Sequence, residues 1–208
     1  MGCGPSKAVK KKYTNDQHWK ELASWGKTVG VSTWGEEIVC MTSIHPKLFM
    51  GSRLSAQVII DKKNLIDPQG NTYRGNKFCI VCVASEKTCQ YCELSSKFKR
   101  YDIQDRHNQS DDFLKVAIQT ARHIRNKLRA GKHVLVHCHS GRNRSALAIL
   151  VYAGMYTNMT YENALHNIKL NNSSRFPMQN TLQNNQFTNV ISSKWNELKT
   201  SSSWYEKI

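Results

Sequence analysis

The stretch Val134 to Ser145, VLVHCHSGRNRS, constrains the architecture of this chain more than any other. An apolar, β-branched run reads as a buried strand and stops at Cys138. Five residues without a large apolar side chain follow, His139, Ser140, Gly141, Arg142 and Asn143, before Arg144 and Ser145. Ala146 to Tyr152 is apolar again and reads as the next helix. The order strand, tight loop, helix sets Cys138 and Arg144 on either side of a loop that opens onto a helix N-terminus.

That spacing suits an anion. Five intervening residues let the backbone curl so that successive N–H groups point inward and satisfy phosphate oxygens. Gly141 permits the positive φ or close approach that such a curl requires. The helix N-terminus adds positive potential at the anion and at the sulfur, which lowers the Cys138 pKa and populates the thiolate. The planar fork of Arg144 grips two oxygens at once, which a lysine point charge does not reproduce. The bland alternative is a buried cysteine beside a solvated basic turn.

These residues resemble the signature loop of the cysteine-dependent protein tyrosine phosphatase superfamily, and more closely its compact dual-specificity branch. Three further stretches agree. Ile44 to Ser52, IHPKLFMGS, resembles the opening strand and turn, Tyr101 to Asp105, YDIQD, the general-acid loop, and Asp111 to Ala130 the helix before the catalytic strand. The resemblance spans roughly residues 36 to 197 and implies an α/β fold with a central mixed β-sheet flanked by helices.

It also implies roles. Cys138 would be the nucleophile, Arg144 the phosphate and transition-state ligand, Ser145 the donor to the departing thiolate, and His137 a support behind the loop through its ring N–H groups. His139 to Asn143 would complete the phosphate cradle. An alkoxide or phenoxide leaves poorly at neutral pH, so a general acid is needed. Asp105 stands 33 residues before Cys138, where similar phosphatases keep theirs. Asp102 is the rival, expected within a strand and structural, while Asp111 and Asp112 read as helix-start residues. No metal or cofactor is expected, because the loop and the arginine supply the positive charge.

The loop departs from its branch in ways that leave the substrate open. Asn143 stands where many dual-specificity loops carry serine and resembles RNA 5′-triphosphatase relatives, although those have threonine after the arginine and histidine where Ser140 stands. His139 and Arg142 make the loop more basic, as in phosphoinositide phosphatases. The charge surplus of +15 suits phosphoproteins, an anionic membrane or RNA alike. The order of expectation is a dual-specificity protein phosphatase, a membrane phosphoinositide phosphatase, an RNA 5′-phosphatase and, from another class, a non-catalytic phosphoprotein-binding module.

A second motif lies at the start. Met1-Gly2-Cys3-Gly4-Pro5-Ser6 fits the myristoylation pattern at Gly2. One acyl chain holds a membrane only marginally, and Cys3 palmitoylation or Lys7, Lys10, Lys11 and Lys12 would supply the second attachment. The reading is an anchor over 1–12, an extension over 13–35 and a catalytic domain over 36–200, peripheral to the cytoplasmic face of a membrane. The competing reading is an ordinary start with solubilising lysines. The longest apolar run, Ala146 to Tyr156, is too short to span a bilayer. Seven cysteines with no secretory signal point to a reducing compartment, leaving the sequons at Asn108, Asn158, Asn171 and Asn172 unused.

Cys79-x2-Cys82 and Cys89-x2-Cys92 suggest a four-cysteine zinc site. Against it, Phe78 to Val83 reads as strand, where residues three apart face opposite sides. Core and loop cysteines are the preferred reading, and a reversible disulfide to Cys138 from Cys82 or another thiol is a third. Elsewhere the pattern predicts a helix at Asp16–Trp25, a connector at Gly26–Gly35, strands at Glu37–Thr42, Leu48–Met50 and Lys77–Ala84, and a loop at Asp67–Asn71. It further predicts a Thr160-capped helix to Ile168 and a last helix over Thr181–Leu198.

Overall fold

The computed structural model describes residues 38–41, 43–60, 64–66, 72–85, 97–106, 112–173 and 176–201. Gly2, Cys3, the lysines of the first twelve residues, the Asp16–Trp25 and Gly26–Gly35 segments, the Asp67–Asn71 loop, Cys89, Cys92 and Asp111 lie outside them. Seven strands and six α-helices are described: β1 Val39–Cys40, β2 Leu48–Gly51, α1 Arg53–Ile60, β3 Asn64–Ile66, β4 Thr72–Arg74, β5 Phe78–Cys82, β6 Phe98–Arg100, α2 Asp112–Arg129, β7 His133–His137, α3 Arg144–Tyr156, α4 Tyr161–Asn172, α5 Asn185–Ser193 and α6 Trp195–Ser201.

Five strands form one sheet in the order β1-β2-β7-β5-β6, and β3 and β4 form a separate antiparallel pair. β2, β7, β5 and β6 run parallel, with β1 antiparallel on the edge. The expected mixed sheet flanked by helices is therefore present. Its inner strands are apolar along their length because parallel strands are covered on both faces; every residue of β5 is buried. Register sets Gly51, His137 and Cys82 in one row across the carboxyl ends, where α/β sheets bind ligands.

Alternation divides the side chains. Phe49, Phe78 and His133 gather on one face with Tyr73 of β4, in edge-to-face contacts of 4.8 to 6.3 Å between centroids. Gly51 shares this face, and a Cβ there would meet Ser55 of α1 at 2.8 Å, so the close approach of α1 to β2 requires glycine. α2 covers the sheet with Phe113, Ala117, Ala121, Ile124 and Leu128, a stripe at helical spacing.

α3 is enclosed. Every residue from Ser145 to Met155 is buried, the all-round burial expected of a helix hydrophobic on every side. Trp195 of α6 closes over Gly154, where a Cβ would sit 2.9 Å from its ring. The indole N–H donates to Met159 O at 3.3 Å, which satisfies the buried polar atom of that ring.

Among the described residues the strands expected at Glu37–Thr42 and Lys77–Ala84 are trimmed to Val39–Cys40 and Phe78–Cys82, and three further boundaries differ from the sequence reading. The strand near Asp102 ends at Arg100, and Tyr101 to Arg106 is irregular, anchored by fully buried Ile103, with Asp102 exposed. Asp102 is therefore not a strand residue. The helix capped by Thr160, whose hydroxyl accepts from Asn163 N at 3.3 Å, runs past Ile168 to Asn172. The single last helix is two, α5 and α6, preceded by a non-helical 181–184. Leu182 has φ 55°, outside helical space, and Asn184 caps α5 by accepting from Gln186 N.

Candidate active site

Cys138 follows β7 and is 1% exposed. Gly141, at φ 76°, turns the chain back so that its N–H donates to Cys138 Sγ at 3.3 Å. Ser145 Oγ lies 3.5 Å from the same sulfur, and α3 begins at Arg144. Arg142 Nε donates to Ser140 Oγ at 3.4 Å, and its guanidinium stands 5.5 Å from the Phe176 ring centroid.

The loop carbonyls are held from outside. Arg53 N donates to His139 O at 3.1 Å, Asn172 Nδ2 to Gly141 O at 3.3 Å and Leu182 N to Arg142 O at 3.3 Å. A trans peptide points its N–H opposite to its C=O, so carbonyls tied outward turn amides toward the centre of the curl. Five elements of sequence thus shape one loop, and three of them lie far from it in the chain.

His137 is fully buried, and burial, reinforced by Arg144, lowers its pKa to about 4 despite the opposing contact with Cys138. The ring is therefore neutral near pH 7 and carries one N–H. Nδ1 lies 3.1 Å from Cys138 O, an acceptor, so the proton resides on Nδ1. The support expected of His137 through two N–H groups is through Nδ1 to the backbone of the cysteine itself.

Burial alone would raise the Cys138 pKa. Arg144, the Ser145 hydroxyl and the amides of Ser145 and Gly141 reverse it, and the net shift is downward. Arg144 Nε is buried without a hydrogen-bond partner, 3.8 Å from Asp105 Oδ2. Two amides hold Asp105 as well: Asn143 Nδ2 donates to Oδ2 at 3.2 Å, and Asn184 Nδ2 to Oδ1 at 3.3 Å. Asp105, Asn143 and Arg144 therefore meet at the loop, whereas Asp112 pairs with Lys115 at an exposed helix start.

Cys79 Sγ donates to Lys97 O and Cys82 Sγ to Ala84 O. Three residues apart on β5, they face opposite sides of the sheet. Among the described residues, no group of three or more His, Cys, Asp or Glu side chains is arranged to hold a metal.

Dual specificity phosphatase catalytic domains match residues 67–196, well over half of the chain and all of the loop. The chain belongs to this family. No curated protein sequence matches the phosphatase significantly. Its fold is similar to that of DUSP15, with TM-score 0.56 and 16% identity over 82% of this chain and 97% of that one. It is also similar to OH1 from the Orf virus, a tyrosine phosphatase with triple substrate specificity (TM-score 0.52, 16% identity, 86% and 98% covered). The human tyrosine phosphatase-like serine/threonine/tyrosine-interacting protein has TM-score 0.52 at 20% identity, with 75% and 97% covered.

Sequence reasoning missed Asn172, Thr181, Leu182, Gln183 and Asn184, which brace the phosphatase loop from behind. Its signal was the amide-rich run Gln179 to Gln186, too polar for a core helix and rich in side chains that bond backbone groups.

Proposed function

We propose that this phosphatase hydrolyses phosphate monoesters on proteins, at tyrosine and at serine or threonine, through a cysteinyl-phosphate intermediate. The observation that carries the reading is the Cys138 sulfur, 1% exposed yet faced by the Ser145 hydroxyl, the Gly141 amide and Arg144, which hold its pKa low. Cys138 attacks phosphorus in line, an S–P bond forms, and the ester P–O bond breaks as Asp105 delivers a proton to the leaving oxygen. Asp105 then takes a proton from water. The water oxygen attacks phosphorus, the S–P electron pair returns to sulfur, and the Ser145 hydroxyl hydrogen-bonds the released thiolate. Arg144 and the amides stabilise the equatorial oxygens in both halves, so no metal enters either step.

Phosphate release from phosphotyrosine and phosphothreonine peptides, phosphoinositides and triphosphorylated RNA, compared side by side, tests the substrate class. Turnover of the peptides above the others, resistant to chelator, is the expected result. Preference for lipid or RNA overturns the protein reading, and phosphopeptide binding without turnover makes the domain a binding module. We also propose that Gly2 carries myristate and Cys3 palmitate, fixing the protein to the cytoplasmic face of a membrane. Gly2→Ala then moves it to the soluble fraction, and equal membrane fractions for both forms refute the anchor.

A further inference from the structure

Asn143 occupies the N-cap position of α3, and its carbonyl accepts the first helical bond, from Leu147 N at 2.8 Å. An asparagine there ordinarily turns its side-chain oxygen onto the free amides of the first turn, a contact that contributes about 1 kcal/mol. Asn143 makes no such bond. Its Oδ1 accepts from Gln183 N at 3.0 Å, and its Nδ2 donates to both oxygens of Asp105, at 3.2 and 3.4 Å.

The segment that receives it is shaped for this contact. Leu182 is buried in the left-handed region at φ 55°, a conformation that persists in a non-glycine residue only when its surroundings enforce it. Asn172 Nδ2 holds Thr181 Oγ1 at 2.8 Å on one side of Leu182. On the other, Asn184 bonds Asp105 and Arg106 O while capping α5. That bend presents Gln183 N to Asn143 and Leu182 N to Arg142 O.

We propose that Asn143 is a positioning residue that latches the Asp105 carboxyl over the loop. With one amide face on Gln183 and the other on Asp105, the side chain fixes the orientation of both carboxyl oxygens. One oxygen can carry the proton while the other keeps its amide. Turned outward in this way, Asn143 also leaves the first amides of α3 open to an anion, which a folded-back cap would cover. The proposal rests on the reading of Asp105 as general acid.

The test is the ratio of single-turnover rates on an alkyl phosphate, whose leaving group needs a proton, and on an activated aryl phosphate, whose leaving group does not. Asn143→Ser lowers this ratio about five- to tenfold, the scale of one lost hydrogen bond. Asn143→Asp, isosteric but without the donor, lowers it likewise and carries the test if the serine variant does not fold. In an Asp105→Asn background, Asn143→Ser lowers the ratio no further, because both act through one carboxyl. An unchanged ratio in both Asn143 variants beside a reduced one in Asp105→Asn overturns the latch. So does a further fall in the double variant. An unchanged ratio in Asp105→Asn itself overturns the acid reading on which the latch depends.

Discussion

Cys82 and Cys138 stand at the carboxyl ends of neighbouring parallel strands, one residue apart in register, and both are buried. Their thiols nonetheless shift in opposite directions. Burial pushes Cys82 up to about 12, the proximity of Cys138 adds to this, and Arg100 and Arg144 offset only part of it. Cys138 suffers the same burial, yet Arg144, the Ser145 hydroxyl and two loop amides carry it below the ordinary thiol value. Enclosure therefore does not make a thiolate. What distinguishes the two sulfurs is a set of donors aimed at one of them, and those donors exist because the chain leaves β7 through a curled loop into a helix.

The largest expected difference is in turnover. Cys138→Ser lowers it by about 10⁴-fold or more, the scale for removal of a nucleophile, while phosphate-ester binding remains. Cys82→Ser stays active. A Cys138→Ser protein that still turns over, or loss of activity on changing Cys82, breaks the comparison at its root.

Removing the donor set while keeping its charge comes next. Arg144→Lys retains the cation but not the fork, and kcat/KM falls by about 10² to 10³, the usual cost of one oxyanion donor. The pH midpoint for iodoacetate labelling of Cys138 moves upward in the same variant. Labelling of Cys82 requires unfolding in both proteins. Equal labelling of the two thiols in the native enzyme contradicts the assignment.

A smaller effect concerns stability toward acid. The His137 pKa falls from 6.5 to about 4 on folding, so between these values the unfolded chain binds more protons. Stability is complete above pH 6.5 and is lost as pH falls toward 4, by about 3 kcal/mol for this group. Urea denaturation from pH 7 to 4 checks it against His137→Asn, whose dependence over this range is flatter. Identical slopes refute the neutral buried imidazole.

The smallest effect lies at the alkaline end. The Cys82 pKa rises from 9.0 to about 12 on folding, so its contribution is present below pH 9 and is lost above it. Between pH 9 and 10 the loss is about 1 kcal/mol relative to Cys82→Val. Parallel curves for the two proteins would show that the burial of Cys82 is not felt by its thiol.

The sheet and the loop were legible because each rests on a local pattern. β5 and β7 are uninterrupted apolar runs, and Cys138, Gly141, Arg144 and Ser145 lie within eight consecutive residues. Asp105 was legible only through the resemblance, and the structure brings it to Asn143, Asn184 and Arg144. The brace from Asn172 to Asn184 was hidden, since its contacts join residues far apart in the chain. An amphipathic pattern cannot reveal that Leu182 turns left-handed, and Thr181–Leu198 read as one helix because Phe187, Ile191, Trp195 and Leu198 share a face at helical spacing. The zinc reading arose from spacing alone, and the strand pattern of Phe78 to Val83, which sends Cys79 and Cys82 to opposite sides, already told against it.

The loop carbonyls fastened by Arg53, Asn172 and Leu182 make the reactivity of Cys138 a property of the assembled domain. A peptide spanning Val134 to Tyr156 holds the whole signature but none of those fasteners, so its cysteine titrates as an ordinary thiol. Recovery of catalysis after dilution from denaturant consequently requires the braces at Arg53 and residues 172–184 as well as the sheet.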